Sequence, residues 1–233
     1  NYGDEFDKAT KEEFVSIMNQ EADRLNKLVN DILDFSRLES PNIQLKKEFY
    51  DIKPLLELTV SSMSVLAQEK NLLFSIIVEP DLPRVYINTE SIERVLKNLL
   101  SNAIKYSNNG GKIKVRAELS RTGKFVEVSI EDNGIGLSPE HFEKIFDRFY
   151  RVENQVHTIK GTGLGLHLVK VAIEKHHNGE VFVESEEGVG SKFGFRLPTD
   201  VKPEEEEQQP SGHNENNNSD NNDTDWEISI EKA

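Results

Sequence analysis

Apolar residues recur along residues 11–38 at helical spacing: Met18, Leu25, Leu28, Ile32 and Phe35 stand seven, three, four and three apart. This is the seam of a coiled coil or helical bundle. A helix this long with so narrow a stripe pairs with other helices, although Glu21 interrupts the seam. Thr10 is the expected N-cap, with Glu12 and Glu13 in the first turn, where the helix dipole favours acids. Ser40-Pro41-Asn42 stop the helix. Beyond Pro41 the period changes. Residues 44–50 predict a strand and 54–70 a helix with Leu55, Leu58, Met63 and Leu66 near one face. Residues 72–78 and 84–87 predict strands, and 91–106 a strongly periodic helix. Residues 112–119 and 125–131 alternate around Arg121-Thr122-Gly123, a hairpin. Residues 140–149 predict a helix, 155–162 a loop and 164–176 a helix. Residues 180–185 and 191–197 form a last hairpin around Gly188-Val189-Gly190. Helices and antiparallel hairpins on one scaffold predict an α+β sandwich with helices on one sheet face.

Composition changes the picture mainly at the C-terminus. The net charge is −14, and residues 200–233 hold eleven acids against two bases, leaving only −5 for the rest. The acidity therefore belongs to a tail, and no basic patch suggests nucleic-acid binding. Residues 202–225 carry almost no apolar side chain and are expected to stay disordered, with Trp226-Glu227-Ile228-Ser229-Ile230 as a short apolar end. Cysteine is absent, so disulfides and thiolate metal sites are excluded. No run approaches the ~18 apolar residues of a membrane span. The start, Asn1-Tyr2-Gly3-Asp4-Glu5, is acidic and lacks an initiator Met, which reads as a fragment of a longer chain.

Three segments carry chemistry. On the helix over 91–106, Asn98, Ser101, Asn102 and Lys105 share one face, with Val95, Leu96, Leu99, Leu100 and Ile104 on apolar faces. Asn98 and Asn102 are four apart, so their amides are neighbours. An amide oxygen is a hard ligand suited to Mg²⁺, and Lys105 can meet a phosphate as a point charge. Asp132-Asn133-Gly134-Ile135-Gly136 follows a strand, where an ionised carboxylate accepts a hydrogen bond from an exocyclic amine such as that of adenine. Gly134 and Gly136 allow close backbone approach to a flat ring. Gly161-Thr162-Gly163-Leu164-Gly165-Leu166 runs into a helix and offers free N–H groups to phosphate. Taken singly these segments also read as an exposed polar face, a turn and a flexible loop. The glycine spacing is not G-x-G-x-x-G, and G-x-x-x-x-G-K-[ST] is absent, which excludes a Walker ATPase.

The order and spacing of these segments resemble the sensor histidine kinases. Asn98 to Tyr106 resembles their N-box and Asp132 to Gly136 their first glycine box. Ile145-Phe146-Asp147-Arg148-Phe149-Tyr150-Arg151 resembles their phenylalanine box. Gly161 to Leu166 and Gly188-Val189-Gly190-Ser191-Lys192-Phe193 are similar to the second and third glycine boxes. The resemblance implies the Bergerat sandwich, a mixed sheet covered by helices on one face and preceded by a long helix. That fold is shared with DNA gyrase, heat-shock chaperone ATPases and mismatch-repair ATPases. It implies ATP and Mg²⁺ as cofactors, with Asn102 as metal ligand and Asn98 assisting. Lys105 would contact phosphate, Tyr106 lie near the nucleotide, Asp132 read the adenine amine, and Arg151 approach the γ-phosphate. Gly161, Thr162, Gly163, Leu164, Gly165 and Leu166 would flank the phosphates, residues 147–160 form a mobile lid, and Ser191 support the adenine pocket. Catalysis would rest on Asn98, Lys105 and Arg151. Hydrolysing relatives place a Glu where this chain has Asn98, and an amide cannot act as general base. The site therefore reads as built for phosphoryl transfer. An ATP-hydrolysing switch and a non-catalytic nucleotide-binding signalling module are the competing readings.

Residues 25–39 resemble the second helix of the family's dimerisation and phosphotransfer hairpin. The implied organisation is 1–40 as a partial hairpin lacking the acceptor helix, 41–198 as the ATP-binding domain and 199–233 as the tail. All six histidines, His141, His157, His167, His176, His177 and His213, lie outside the N-terminal helix and read as surface or capping residues. No self-labelling is then expected. The acceptor would be a His on a missing hairpin helix of the same homodimeric protein, with a response regulator receiver domain downstream. The catalytic part would be cytoplasmic, with any membrane attachment through missing upstream segments. Asn178 replaces the family's usual Gly after His177, a change the left-handed cap tolerates.

Overall fold

The computed structural model describes residues 7–40, 43–152 and 162–200. Helix α1 spans Lys8–Glu39 and is capped by Asp7, whose Oδ1 accepts the Thr10 N–H at 2.7 Å. The cap thus lies three residues before the expected Thr10, because an aspartate there reaches the third amide and puts its charge at the positive helix end. The seam residues Met18, Leu25 and Ile32 are exposed along α1. Its C-terminal end turns inward, where Leu38 packs on the core.

Strand β1 (Glu48–Tyr50) pairs antiparallel with β3 (Val85–Ile87) as a small two-stranded sheet. Helix α2 (Ile52–Gln68) buries Ile52, Leu55, Leu56, Thr59, Val60, Met63 and Ala67. Leu58 and Leu66, expected on that face, are instead exposed. The stripe is carried partly by Thr59, whose hydroxyl is satisfied by donating to the Leu55 carbonyl at 2.7 Å, so a polar residue holds a core position.

The main sheet has the order β2-β4-β5-β7-β6. Its strands are β2 (Leu73–Val78), β4 (Lys112–Leu119), β5 (Phe125–Asp132), β6 (Glu180–Glu186) and β7 (Gly190–Pro198). The β2–β4 pair is parallel and the others antiparallel, so the sheet is mixed, as expected. Strand alternation sends Ile113, Val115, Ala117, Val126, Val128, Ile130, Phe195 and Leu197 to the covered face. The other face is a lattice of charges: Arg196 donates to Glu127 at 2.9 Å and Lys114 meets Glu131 at 3.2 Å. Helix α3 (Thr89–Tyr106) lies on the covered face and buries Ile92, Val95, Leu96, Leu99, Leu100, Ala103 and Ile104. Each large side chain so buried contributes about 1.5–3 kcal/mol.

Residues 140–149 do not form the expected helix. A 3₁₀ turn at Pro139–His141 continues as short-range turns, with Lys144 N–H bonded to His141 O and Asp147 N–H to Lys144 O. That winding directs Phe146 into the core, edge-on to Phe193 at 6.3 Å. The helix expected at 164–176 is α4 (Gly165–Lys170) followed by one π turn, Val171–Lys175. It ends on Asn178 at φ 51°, the left-handed cap expected there. The loop expected at 155–162 and the tail from 201 onward lie outside the described residues, apart from Thr162. No described helix is long and apolar enough to cross a membrane.

His177, expected at the surface or as a cap, is buried. Its Nδ1–H donates to Ala172 O at 2.6 Å, and its Nε2 accepts the Asn88 N–H at 3.1 Å. Asn88 in turn caps α3, its Oδ1 accepting the Ser91 N–H at 2.9 Å and its side-chain amide donating to Lys46 O. The imidazole thereby ties the π turn to the start of α3. Burial pushes its pKa down to about 4.

The folded state therefore disfavours the imidazolium, while the unfolded chain protonates near 6.5. The stability tied to this group is complete above that pH and declines by about 1.4 kcal/mol per pH unit as pH falls from 6.5 towards 4. Urea unfolding at pH 7 and pH 5 should show a loss about 2 kcal/mol greater in the wild type than in His177→Gln. Equal losses in the two proteins would contradict this role.

Candidate functional site

Helix α3 and the ends of β5 and β7 frame the main cleft. The parity that buries Val126, Val128 and Ile130 carries Asp132, the last residue of β5, to the same helix-covered face. Ser191 stands directly across from it on β7. Asp132 is only 7% exposed, and its Oδ1 accepts the Gly134 N–H at 2.9 Å. Burial raises its pKa; the Gly134 and Ser191 amides pull it back down, and the Glu131 charge adds to the rise. A carboxylate held in such a partly dry site makes a stronger hydrogen bond than one in water.

Asn98, Ser101, Asn102 and Lys105 present their side of α3 to the same cleft. The cleft encloses about 1100 Å³, its solvent mouth included. Tyr106 lines it as well, its hydroxyl 3.2 Å from Lys105 Nζ and its ring 4.8 Å from that nitrogen. Burial raises the Tyr106 pKa, with the Arg151 charge opposing the rise. Arg151, Thr162, Gly163, Gly165 and Leu166 line it too. The start of α4 packs closely on α3: a Cβ on Gly165 would come within 3.0 Å of Asn98 Oδ1. Thus Asn98, Asn102, Lys105, Tyr106, Asp132, Gly136, Arg151, Thr162, Gly163, Gly165, Leu166 and Ser191 all line one cleft.

Two of the expected residues that the structure describes do not line the cleft. Leu164 is buried in the protein, its N–H donating to Thr162 Oγ1 at 3.3 Å. Gly134 is covered by α3: a Cβ there would lie 2.2 Å from the Tyr106 carbonyl oxygen. Gly161 lies outside the described residues, as do residues 153–160 of the expected lid. Gly136, at φ 68°, would place a Cβ 1.9 Å from Glu186 O. Both glycines of the Asp132 turn therefore admit neighbouring backbone, where approach of a flat ring had been expected.

Residue-level reasoning missed the apolar wall formed by Ile135, Leu137, Ile145 and Phe193, together with Tyr150 and Val152. All but Leu137 and Val152 stood inside the quoted boxes, so the signal was present without an assigned role. Asp31 also lines the cleft from α1. Nothing in the helical pattern marks that residue, which precedes seam residue Ile32.

The arrangement suits a purine nucleotide. It offers a buried carboxylate at a strand end, an apolar wall for a flat ring, and cations with hard amide oxygens for phosphate and metal. Comparison with known proteins agrees. Residues 87–201 match the family described as histidine kinase-, DNA gyrase B-, and HSP90-like ATPase. Residues 4–41 match the His Kinase A (phospho-acceptor) domain. Drug sensory protein A of Synechocystis sp. is 42% identical over 204 residues, covering 84% of this chain and 30% of that protein. Full-length ShkA in complex with AMPPNP is 30% identical, with a TM-score of 0.68 over 80% of this chain and 38% of that one. Histidine kinase ThkA in complex with response regulator protein TrrA is 26% identical, with a TM-score of 0.67 over 83% of this chain and 53% of that one. The chain spans less than a third of the curated relatives it matches first. The match over residues 4–41 does not support the expectation that the acceptor is missing, although that stretch itself contains no histidine.

The two kinds of left-handed glycine separate in a stability experiment. Gly136→Ala should destabilise by at least about 2 kcal/mol, since a backbone oxygen must move as well as the turn. Gly188, at φ 80° with open space around it, should lose only about 1 kcal/mol on the same change. Equal urea midpoints for the two variants would refute the assignment.

Proposed function

The chain belongs to the sensor histidine kinases, and from that premise we propose that its cleft holds Mg-ATP and donates the γ-phosphoryl group to a histidine of the phosphotransfer hairpin. Asp132 accepts the adenine amine, and Ile135, Leu137, Ile145 and Phe193 hold the ring. Lys105 and Arg151 lie in the cleft, where they neutralise phosphate charge. Transfer of this kind needs positioning and charge stabilisation more than covalent chemistry from the protein.

The donor set fits Mg²⁺. Among the described residues no group of three His, Cys, Asp or Glu side chains could hold a metal alone. Asn102, with Asn98 beside it, offers amide oxygens, which suits a cation that keeps waters and takes remaining ligands from phosphate. Bound Mg²⁺ supplies neutralisation of the phosphate oxygens. Thr162, Gly163, Gly165 and Leu166 flank the phosphates.

Asn98 in the cleft carries the choice of transfer over hydrolysis, since an amide cannot take a proton from water. No histidine occurs before His141, so we take the acceptor to lie on a hairpin helix outside this sequence and the chain alone to remain unlabelled. Residues 1–40 serve as the hairpin's second helix, 41–198 as the ATP-binding domain and 199–233 as an acidic tail. The exposed Met18, Leu25 and Ile32 fit pairing with a second copy in a homodimeric bundle. ThkA's complex with TrrA supports a response regulator as the next acceptor. The catalytic part acts in the cytoplasm, with any membrane attachment through other segments.

The test mixes the chain with radiolabelled ATP and a separate acceptor hairpin. Acid-labile, alkali-stable label should appear on the hairpin alone. Asp132→Asn should weaken ATP binding by roughly tenfold or more, the scale of a lost charged hydrogen bond. Asn102→Ala should reduce transfer more than binding of adenosine. Steady ATP turnover without phosphoprotein would favour the hydrolysing switch instead, and absence of ATP binding a non-catalytic module.

A further inference from the structure

The cleft is completed by a charge from outside the ATP-binding domain. Asp31 of α1 lines it together with Asn98 and Thr162. Asp31 Oδ2 accepts the Thr162 hydroxyl proton at 2.8 Å, and Thr162 Oγ1 accepts the Leu164 N–H at 3.3 Å. The carboxylate therefore orients a threonine of the glycine loop, and that hydroxyl occupies an amide of the same loop. Contacts on the next two turns of α1 hold the helix in place. Asp34 pairs with Arg94, the Phe35 ring lies 4.5 Å from the Arg148 guanidinium, and Glu39 meets Arg148 at 3.0 Å. Near the end of α1 the His176 Nε2–H donates to the Leu38 carbonyl at 2.7 Å.

Resting on the reading of this cleft as an ATP site, we propose that Asp31 is an internal competitor of the nucleotide's phosphates, so that phosphate binding and the docking of α1 oppose each other. Two physical facts set the sign. A hydroxyl has one proton to donate, so Thr162 serves either the carboxylate or a phosphate oxygen. A fixed negative charge in a partly buried cleft also repels an anionic ligand, and more strongly than it would in open water. Coupling of this kind is reciprocal: phosphates that weaken the Asp31 contact loosen α1, and loosening α1 strengthens phosphate binding. Adenosine, which lacks phosphates, escapes the competition. A cation bridging Asp31 to the phosphates would give the opposite sign, so the direction of the effect decides.

The test uses the full 233-residue chain. Calorimetry compares Mg-ATP and adenosine on the wild type and on Asp31→Asn. The variant should bind Mg-ATP at least about three- to tenfold more tightly, the scale of one close charge removed even at the dielectric of water, while adenosine affinity stays the same. Unchanged adenosine binding also shows that the variant is folded. Since the chain has no native cysteine, spin labels at Ser16→Cys on α1 and Ser61→Cys on α2 report docking directly. Their distance distribution should broaden or lengthen with Mg-ATP and not with adenosine. Equal or weaker Mg-ATP binding by Asp31→Asn, with wild-type binding intact, overturns this proposal and leaves the ATP site standing. Failure of the wild type to bind either ligand overturns both.

Discussion

The packing of α3 on the sheet decides where every polar group of the cleft can be. One side of α3 carries Ile92, Val95, Leu96, Leu99, Leu100, Ala103 and Ile104 into the core, and these cannot rotate away without exposing several large side chains, each costing about 1.5–3 kcal/mol. Fixing that side fixes the other, so Asn98, Asn102 and Lys105 must look into the cleft. The strand period does the same from below. Because Val126, Val128 and Ile130 are held inward, Asp132 is inward too. A buried carboxylate is thus the extension of a hydrophobic stripe by one step.

That placement works only if the backbone around Asp132 can crowd together. The absence of side chains at Gly134, Gly136 and Gly190 lets the turn press on Tyr106 O, Glu186 O and Asp132 O. At the far side Asn88 and His177 hold the first turn of α3 to the π turn after α4, so the helix face carrying the amides and α4 belong to one frame. The cleft's charges then divide by origin. Lys105 and Asp132 come from that frame, Arg151 from the segment beyond Phe149, and Asp31 from α1.

Much of this was legible in the sequence because strong periodicity and glycine placement are local signals. The hairpins, α3 and most of the cleft residues belong to that class. What escaped depended on tertiary context. Thr59 reads as polar, yet its hydroxyl bonds the preceding turn and so it can occupy the core. Residues 140–149 have helical character, yet placing Phe146 against Phe193 is served by tighter turns. His177 lies at a helix end, where a surface cap is the ordinary outcome; only the fold brings Asn88 to it from 89 residues away. Asp31 reads as part of a solvated helix face until Thr162 meets it from 131 residues away.

The central claim is that α3's amide face and the end of β5 form one nucleotide site, with base and phosphates at opposite ends. Nuclear magnetic resonance of the isotopically labelled chain tests it most directly. Adenosine should shift the backbone signals of Asp132, Ile135 and Leu137 and leave the side-chain amides of Asn98 and Asn102 in place, and Mg-ATP should in addition shift those amides. Shifts confined to the second cleft, lined by Arg37, Leu45 and Arg94, or an adenosine response centred on the Asn102 amide, would contradict it.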